Sequence, residues 1–543
     1  MSPVATAPPR ARALRIERPP VVVRREPRRR EPLAIFAAAY AVYAIVGLYV
    51  TIGLDLVVGD AESRLAHAYF VWWNEPSKLA AIGFVWPPLQ TLVLLPLAAV
   101  KPLATSLAAL PLTSAAFAAG TLVVLDRTLA LADVDRAARW ALVGALGLNP
   151  LFVFYAINGM AEVVYLFFLS AAVAVFLRWS VAPRWSHLPL AGVAFALATL
   201  ARYETALWLV LILVAVGVLL VQRRETADQI ESQLLVLVVP AVYGLLLWCF
   251  LNWALTGNPF GFFSEQFPRE AAGGPRRITT VELLRDTVVL SLALFPATPI
   301  VGGALLAVAV VRRHLAAAVL GLAILMNVAL TTAFVLGSHE PLLLQLRYNI
   351  RALPLVLLGV ALLLMIVPRR SRRLAAIGAV AVVAGSMPAT AAVMLTSEHE
   401  LGEAAFLHGL VSGENQDGVK GPKGTGVRIG DQRDMAAFIG RHVRERNSIL
   451  TDDARTYGVL LLDGHPERFL DRIDFGDRRW LFVRNHPVGN VRYVLVDHLA
   501  TREFNPVDFD LIVAAYPGLA DDRPPPFLQL LHRNHTYALY AVR

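Results

Sequence analysis

Cysteine and lysine are almost missing from this chain. A single cysteine, Cys249, stands inside an apolar run of the 543-residue sequence, which excludes a disulfide framework or a thiolate metal site within one chain. Only four lysines occur, so nearly all positive charge is arginine, a bias that points to a GC-rich bacterial genome. Charge of any sign is scarce as well: 17% of residues are charged and 57% are hydrophobic, against about 25% and 45–50% in soluble domains. That excludes an ordinary soluble domain. Internal repeats are also lacking, and with them the paired halves that many transporters show.

What the chain has instead is uncharged runs of roughly 20 residues, the length that crosses a hydrocarbon core. Candidate spans are 33–54, 104–125, 139–157, 160–178, 188–201, 205–221, 233–255, 286–311, 315–336, 349–367 and 374–396. Segment 88–102 is apolar but short and broken by proline, and reads as a re-entrant half-helix, because irregular backbone at membrane depth is tolerated beside protein or a wet cavity. The sequence thus predicts an all-α polytopic membrane protein of about 11 transmembrane helices plus a re-entrant segment.

Residues 1–32 hold nine arginines between Arg10 and Arg30, interleaved with proline. With little to bury, they read as a disordered basic tail. Its charge places it in the cytoplasm, near anionic lipid, and leaves no need for a nucleic-acid partner. Arg178 with Arg184, Arg223 with Arg224, Arg312 with Arg313, and Arg369–Arg373 mark the same side. The loops 55–87, 158–162, 256–285 and 337–348 then face outward. Residues 33–396 form the membrane domain.

From about 397 the character changes. Residues 413–430 read as a flexible loop, and 435–446 has helical periodicity. Short β-type runs come after it at 448–450, 457–462, 493–496, 511–515 and 537–542. That alternation predicts a small α/β domain over 397–543, outside the cell because the last span starts from a cytoplasmic arginine cluster.

Ionisable residues beside the spans are the functional candidates, since charge near a bundle interior is costly to keep. Gly59-Asp60-Ala61-Glu62-Ser63-Arg64 comes just after the first span, and then come His67 and Trp86-Pro87-Pro88. On a helix Asp60 and Arg64 share a face, while Glu62 points elsewhere. A surface ion pair is the ordinary alternative for Asp60 and Arg64, and a hydrogen-bonded structural role for His67. Glu162 opens an apolar helix. Arg202-Tyr203-Glu204 interrupts another, so 188–221 reads as two helices meeting at an outward turn. Arg347 and Tyr348 lead into the span at 349, and His339 lies in the loop before it. Pairing of Arg202 with Glu204 and snorkelling of Arg347 are the non-functional readings. Asp60, Glu62 and His67 together offer oxygen and nitrogen to a divalent cation, but their spacing is no recognisable ligand pattern, so no metal site is assigned.

These motifs, with the Asn149-Pro150 stretch, the Gly257-Asn258-Pro259-Phe260 loop and Leu450-Thr451-Asp452-Asp453 in the tail, resemble the GT-C superfamily of membrane glycosyltransferases over residues 33–540. The resemblance implies a sugar donor carried on polyprenyl phosphate. It also implies transfer at the outer face of a bacterial inner membrane to a cell-envelope glycan, lipid or protein, and no required cofactor. In that family an acid in the first external loop is the base, a position matched here by Asp60. Inverting transfer needs one base to take the acceptor proton, and phosphate leaves without an acid. Glu62 stands where many members carry a second, adjacent acid. Trp86 replaces the basic residue that precedes the two prolines in lipopolysaccharide-modifying relatives, which leaves donor phosphate to Arg64, Arg202 and Arg347, whose planar forks suit its oxygens. Glu162, Tyr203, Glu204, His339, Tyr348, His67 and Trp86 then line the cavity. A lipid or solute transporter, or a non-catalytic scaffold on the same fold, is the competing reading.

Overall fold

The computed structural model describes residues 30–75, 77–83, 86–262, 280–338, 345–419, 427–499 and 510–543. The expected basic tail falls almost wholly outside them, and His339 does too.

Among the described residues, seven helices are long and apolar enough to cross a membrane: Arg30–Gly53, Ala109–Leu131, Ala161–Val181, Thr205–Gln222, Ala227–Thr256, Leu346–Ile366 and Arg369–Thr396. Two further segments are bent pairs, Arg136–Gly147 with Pro150–Ile157 at 67° and Leu284–Leu294 with Ala297–Arg312 at 88°. His187–Ala201 is apolar but shorter, and the apolar helix Leu315–Ser338 runs for 24 residues. Together they account for the expected spans and make the chain a multi-pass membrane protein. The candidate half-helix is Leu89–Ala98, roughly 15 Å long at 1.5 Å per residue and therefore only about half a bilayer core.

Both bends depart from the straight spans expected, and each has a local cause. Asn149 caps the second half of the first pair, its side chain accepting from the Leu151 and Phe152 amides at 3.1 and 3.4 Å. Pro150 supplies a helix start that needs no N–H. At the second bend, around Pro296, the freed backbone groups find partners on Arg369–Thr396. Ser386 Oγ accepts from the Ala297 amide at 3.0 Å, and Thr390 donates to the Leu294 carbonyl at 2.7 Å. A broken helix is tolerated when its orphaned groups are satisfied in this way.

Two glycines mark close helix contacts within the bundle. A methyl group at Gly47 would stand 2.4 Å from Pro111 Cβ, and one at Gly192 would stand 2.5 Å from the Leu237 carbonyl oxygen. Small residues let apolar helices approach this closely where no water drives them together.

One end of the bundle collects Glu31 with Arg139 and Arg136, and Asp133 with Arg372. Helices Ala161–Val181, Thr205–Gln222 and Leu346–Ile366 all begin at the opposite end, beside the short helix Gly59–Trp73.

The tail docks at that second end. It holds a five-stranded sheet of β1 (Ile449–Thr451), β2 (Phe469–Leu470), β3 (Tyr493–Asp497), β4 (Leu528–Arg533) and β5 (Tyr537–Val542). Their order is β2-β1-β3-β5-β4, with β1 parallel to β2 and β3, and β5 antiparallel to β3 and β4. Two runs expected as strands are helical instead, Asp453–Asp463 and Leu511–Ala515. Both start at an aspartate cap: Asp452 accepts from the Ala454 amide, and Asp510 from the Ile512 and Val513 amides. Such capping outweighs the β-type composition of the capped residues. The expected helix 435–446 begins earlier, as Ile429–His442.

Candidate active site

Helix Gly59–Trp73 lies across the tail-side mouth of the bundle and carries Asp60 in its first turn. The short turn Leu346–Asn349 brings in Arg347, whose Nη1 donates to Asp60 Oδ2 at 2.8 Å. Asp60 keeps 23% of its side chain accessible, so the carboxylate is held and still reachable. Burial alone would raise the Asp60 carboxyl, but Arg347, Arg64 and Arg202 together outweigh it and hold the group below the usual carboxylate range. Arg64 reaches back to the Asp60 carbonyl at 3.4 Å, and its guanidinium lies 4.9 Å from the Trp86 ring centre.

Arg202 ends His187–Ala201 in an extended conformation. Thr205 pins the break by donating to the Ala198 and Arg202 carbonyls. This orientation lets Arg202 Nη1 meet Glu162 at 2.7 Å and its Nε meet Glu204 at 2.6 Å. Arg351 adds a second cation to Glu204 at 3.1 Å. Tyr348 sits between two guanidinium groups, 4.9 Å from Arg202 and 5.2 Å from Arg347. Four arginines thus surround three carboxylates. The Nε–H groups of Arg64 and Arg347 are buried without a hydrogen-bond partner among the described residues. Unspent donors of this kind, beside a surplus of cations, suit an anion with several oxygens.

Asp60, Arg64, Trp86, Glu162, Arg202, Glu204, Arg347 and Tyr348 are therefore gathered in one place. Three other candidates are not. Glu62, expected beside Asp60 as a second acid, faces the tail and accepts from Gln432 Nε2 at 3.2 Å. Burial pushes its carboxyl up to about 8. His67 turns to the Ala81 carbonyl at 3.0 Å, with Gly83 against its ring. Tyr203 leaves the cluster to accept from Trp248 Nε1 at 2.8 Å and pack on Phe262. Among the described residues no three His, Cys, Asp or Glu side chains converge as a metal ion would need.

Two buried residues were not singled out from the sequence. Tyr155 donates to Glu403 Oε1 at 2.9 Å, and burial raises the Glu403 carboxyl to about 7. Tyr155 sits within a wholly apolar run and Glu403 lies beyond the last span, so no local pattern flags either one.

No protein-family model and no curated protein matches the chain. Solved structures do, and they show a fold shared along almost the whole chain. More particularly, the chain is similar to ArnT from Cupriavidus metallidurans. The crystal structure of that protein bound to undecaprenyl phosphate has a TM-score of 0.54 and 14% identity, covering 93% of this chain and 98% of the other. Its apo structure gives a TM-score of 0.53 and 16% identity over 94% and 98%. At such identity the likeness is one of fold.

Proposed function

We propose that the chain is an inverting glycosyltransferase that takes a sugar from a polyprenyl-phosphate donor and passes it to a hydroxyl of a cell-envelope glycan, lipid or protein. The work is done at the outer face of a bacterial inner membrane, with the first helix entering from the cytoplasm and the tail outside. One observation carries the reading: an accessible carboxylate, Asp60, held by an arginine within a buried surplus of guanidinium groups. The fold shared with a protein that binds undecaprenyl phosphate supports it.

The chemistry grows out of the geometry. Donor phosphate takes up the spare N–H groups of Arg347 and Arg64 and competes with Asp60 for Arg347. Losing part of that ion pair makes Asp60 a stronger base. Asp60 then accepts the acceptor hydroxyl proton as the acceptor oxygen bonds to the anomeric carbon. The bond from that carbon to the phosphate oxygen breaks with its electron pair, and polyprenyl phosphate leaves as an anion stabilised by the arginines. Glu162 and Glu204 hold Arg202 and Arg351 in place.

The test uses membranes containing the chain, supplied with radiolabelled polyprenyl-phosphate sugars. Wild type should move label off the lipid. Asp60→Asn should lose roughly 100- to 10,000-fold in turnover, the range a general base supplies, while still binding donor. Equal turnover in the two would end this reading. Label that crosses the membrane still attached to lipid would favour a transporter.

A further inference from the structure

Glu62 lies two residues from Asp60, has no exposed surface, and makes its hydrogen bond to the tail and not to the arginines of the ion cluster. Its partner Gln432 is on the tail helix Ile429–His442, 370 positions away in sequence. Gln432 itself fits only because residue 458 is glycine. A methyl group at Gly458 would stand 2.3 Å from Gln432 Nε2. Around this contact the tail grips the same stretch of chain repeatedly. Arg433 meets Asp55 at 2.5 Å, the Gln416 amide donates to the Leu54 carbonyl at 2.7 Å, and Tyr457 donates to the Gly59 carbonyl at 3.4 Å. Tyr69, on the same helix as Asp60, donates to the Gly464 carbonyl at 2.9 Å.

We propose that Glu62 is a positioning residue, which through Gln432 locks the tail onto the helix turn carrying Asp60 and so fixes the reach of the Asp60 carboxylate. The catalytic half of this inference rests on the glycosyltransferase reading; the docking half does not. The tail is then part of the active-site frame. A carboxylate displaced by about 1 Å costs on the order of 100-fold in rate, so a loosened turn is felt in chemistry before it is felt in donor binding.

Glu62 is faced by Arg433 and Gln432 from one tail helix and by the phenol groups of Tyr457 and Tyr537 from elsewhere in the tail. Burial raises the Glu62 carboxyl against the opposing pull of the Gln432 hydrogen bond and the Arg433 charge.

The experiment compares the full-length chain with Glu62→Ala, Glu62→Gln, Gln432→Ala and Gly458→Ala. Gly458→Ala is the informative variant, because its methyl group displaces the end of the flexible Gln432 side chain while Glu62 and Asp60 themselves stay unsubstituted. Hydrogen exchange across residues 58–66 is read first. It should rise about tenfold in Glu62→Ala, Gln432→Ala and Gly458→Ala, and Glu62→Gln, whose amide oxygen still accepts from Gln432, should restore most of the protection. Where wild type transfers sugar, kcat should fall about 10- to 100-fold in the same three variants, with donor KM changing less than about twofold and Glu62→Gln rescuing kcat. Unchanged exchange in Gln432→Ala and Gly458→Ala overturns the docking role. Raised exchange with unchanged kcat overturns the positioning role. If wild type transfers nothing from any lipid-linked sugar, the functional reading fails, and the exchange result still decides the docking.

Discussion

The two ends of the helix bundle both collect arginines beside carboxylates, yet they hold them differently. At the far end Arg136 and Arg369 keep 64% and 62% of their side chains exposed, and Asp133 keeps 40%. Water screens these outer pairs, so their role is orientation and modest anchoring, while Arg139 at the same end, only 9% exposed, is buried against Glu31 and Asp126. At the tail-side end Arg351, Arg202 and Arg347 retain only 4%, 12% and 15%. Ions brought that far from water are costly unless partners compensate, and here the compensation is one carboxylate short. The contrast teaches where to look for a ligand: at the end where several buried guanidinium groups crowd around a carboxylate that is still reachable.

Four substitutions or conditions would break or sharpen the contrast. The largest effect is expected of Arg347→Ala, which removes both the Asp60 partner and a phosphate donor. Transfer should fall roughly 100- to 1,000-fold, the size seen when one preorganised donor is lost, measured as release of label from the lipid. Arg202→Ala comes next. It strips the cation from buried Glu162 and leaves Glu204 with Arg351 alone, and should cost about 3–5 kcal/mol of stability in a thermal or denaturant melt. A loss below about 1 kcal/mol would put this cluster in the same class as the far end.

The third is pH. The Glu62 carboxyl sits near 4.5 in an unfolded chain and at about 8 when folded, so folding takes up a proton between those values. The stability Glu62 contributes is therefore present at low pH and fades as pH rises from about 5 to about 8, by up to about 1.4 kcal/mol per unit. Glu403, raised to about 7, acts in the same direction. Melts of Glu62→Gln across this window should show a shallower slope than wild type; parallel curves would deny Glu62 its share. The smallest effect is expected of Arg372→Ala at the far end, whose partner Asp133 is 3.5 Å away and well exposed. Its cost should stay within about 1 kcal/mol in the same melt.

Much of this layout is legible in the sequence because lipid imposes simple rules. Uncharged runs give the spans, and a charged interruption such as Arg202-Tyr203-Glu204 in an otherwise apolar stretch has to lie at an edge or a cavity. The convergence of Asp60, Arg64, Glu162, Arg202 and Arg347 was approachable for that reason. Other features depend on contacts that no local pattern records. Glu62 shares its segment with Asp60 but takes a partner 370 residues away, and Tyr155 finds Glu403 across 248. The run Tyr457-Gly458-Val459-Leu460-Leu461-Leu462 looks like a strand by composition, yet the Asp452 cap a few residues before it starts a helix. The 88° bend near Pro296 needed Ser386 and Thr390 from another helix to become tolerable.

Helix Ala227–Thr256 turns only Leu237, Ala241, Trp248 and Asn252 fully inward. Those positions fall on one stripe, spaced by four, seven and four residues, with the bare backbone of Gly192 seated against the Leu237 carbonyl where the stripe begins. Much of the remaining surface is exposed and apolar, as at Leu235, Tyr243, Leu246 and Trp253, and a face of that kind asks for greasiness and little else. A saturation scan along this segment should therefore trace a thin intolerant line through a permissive field, and that line alone would give the helix its rotational setting.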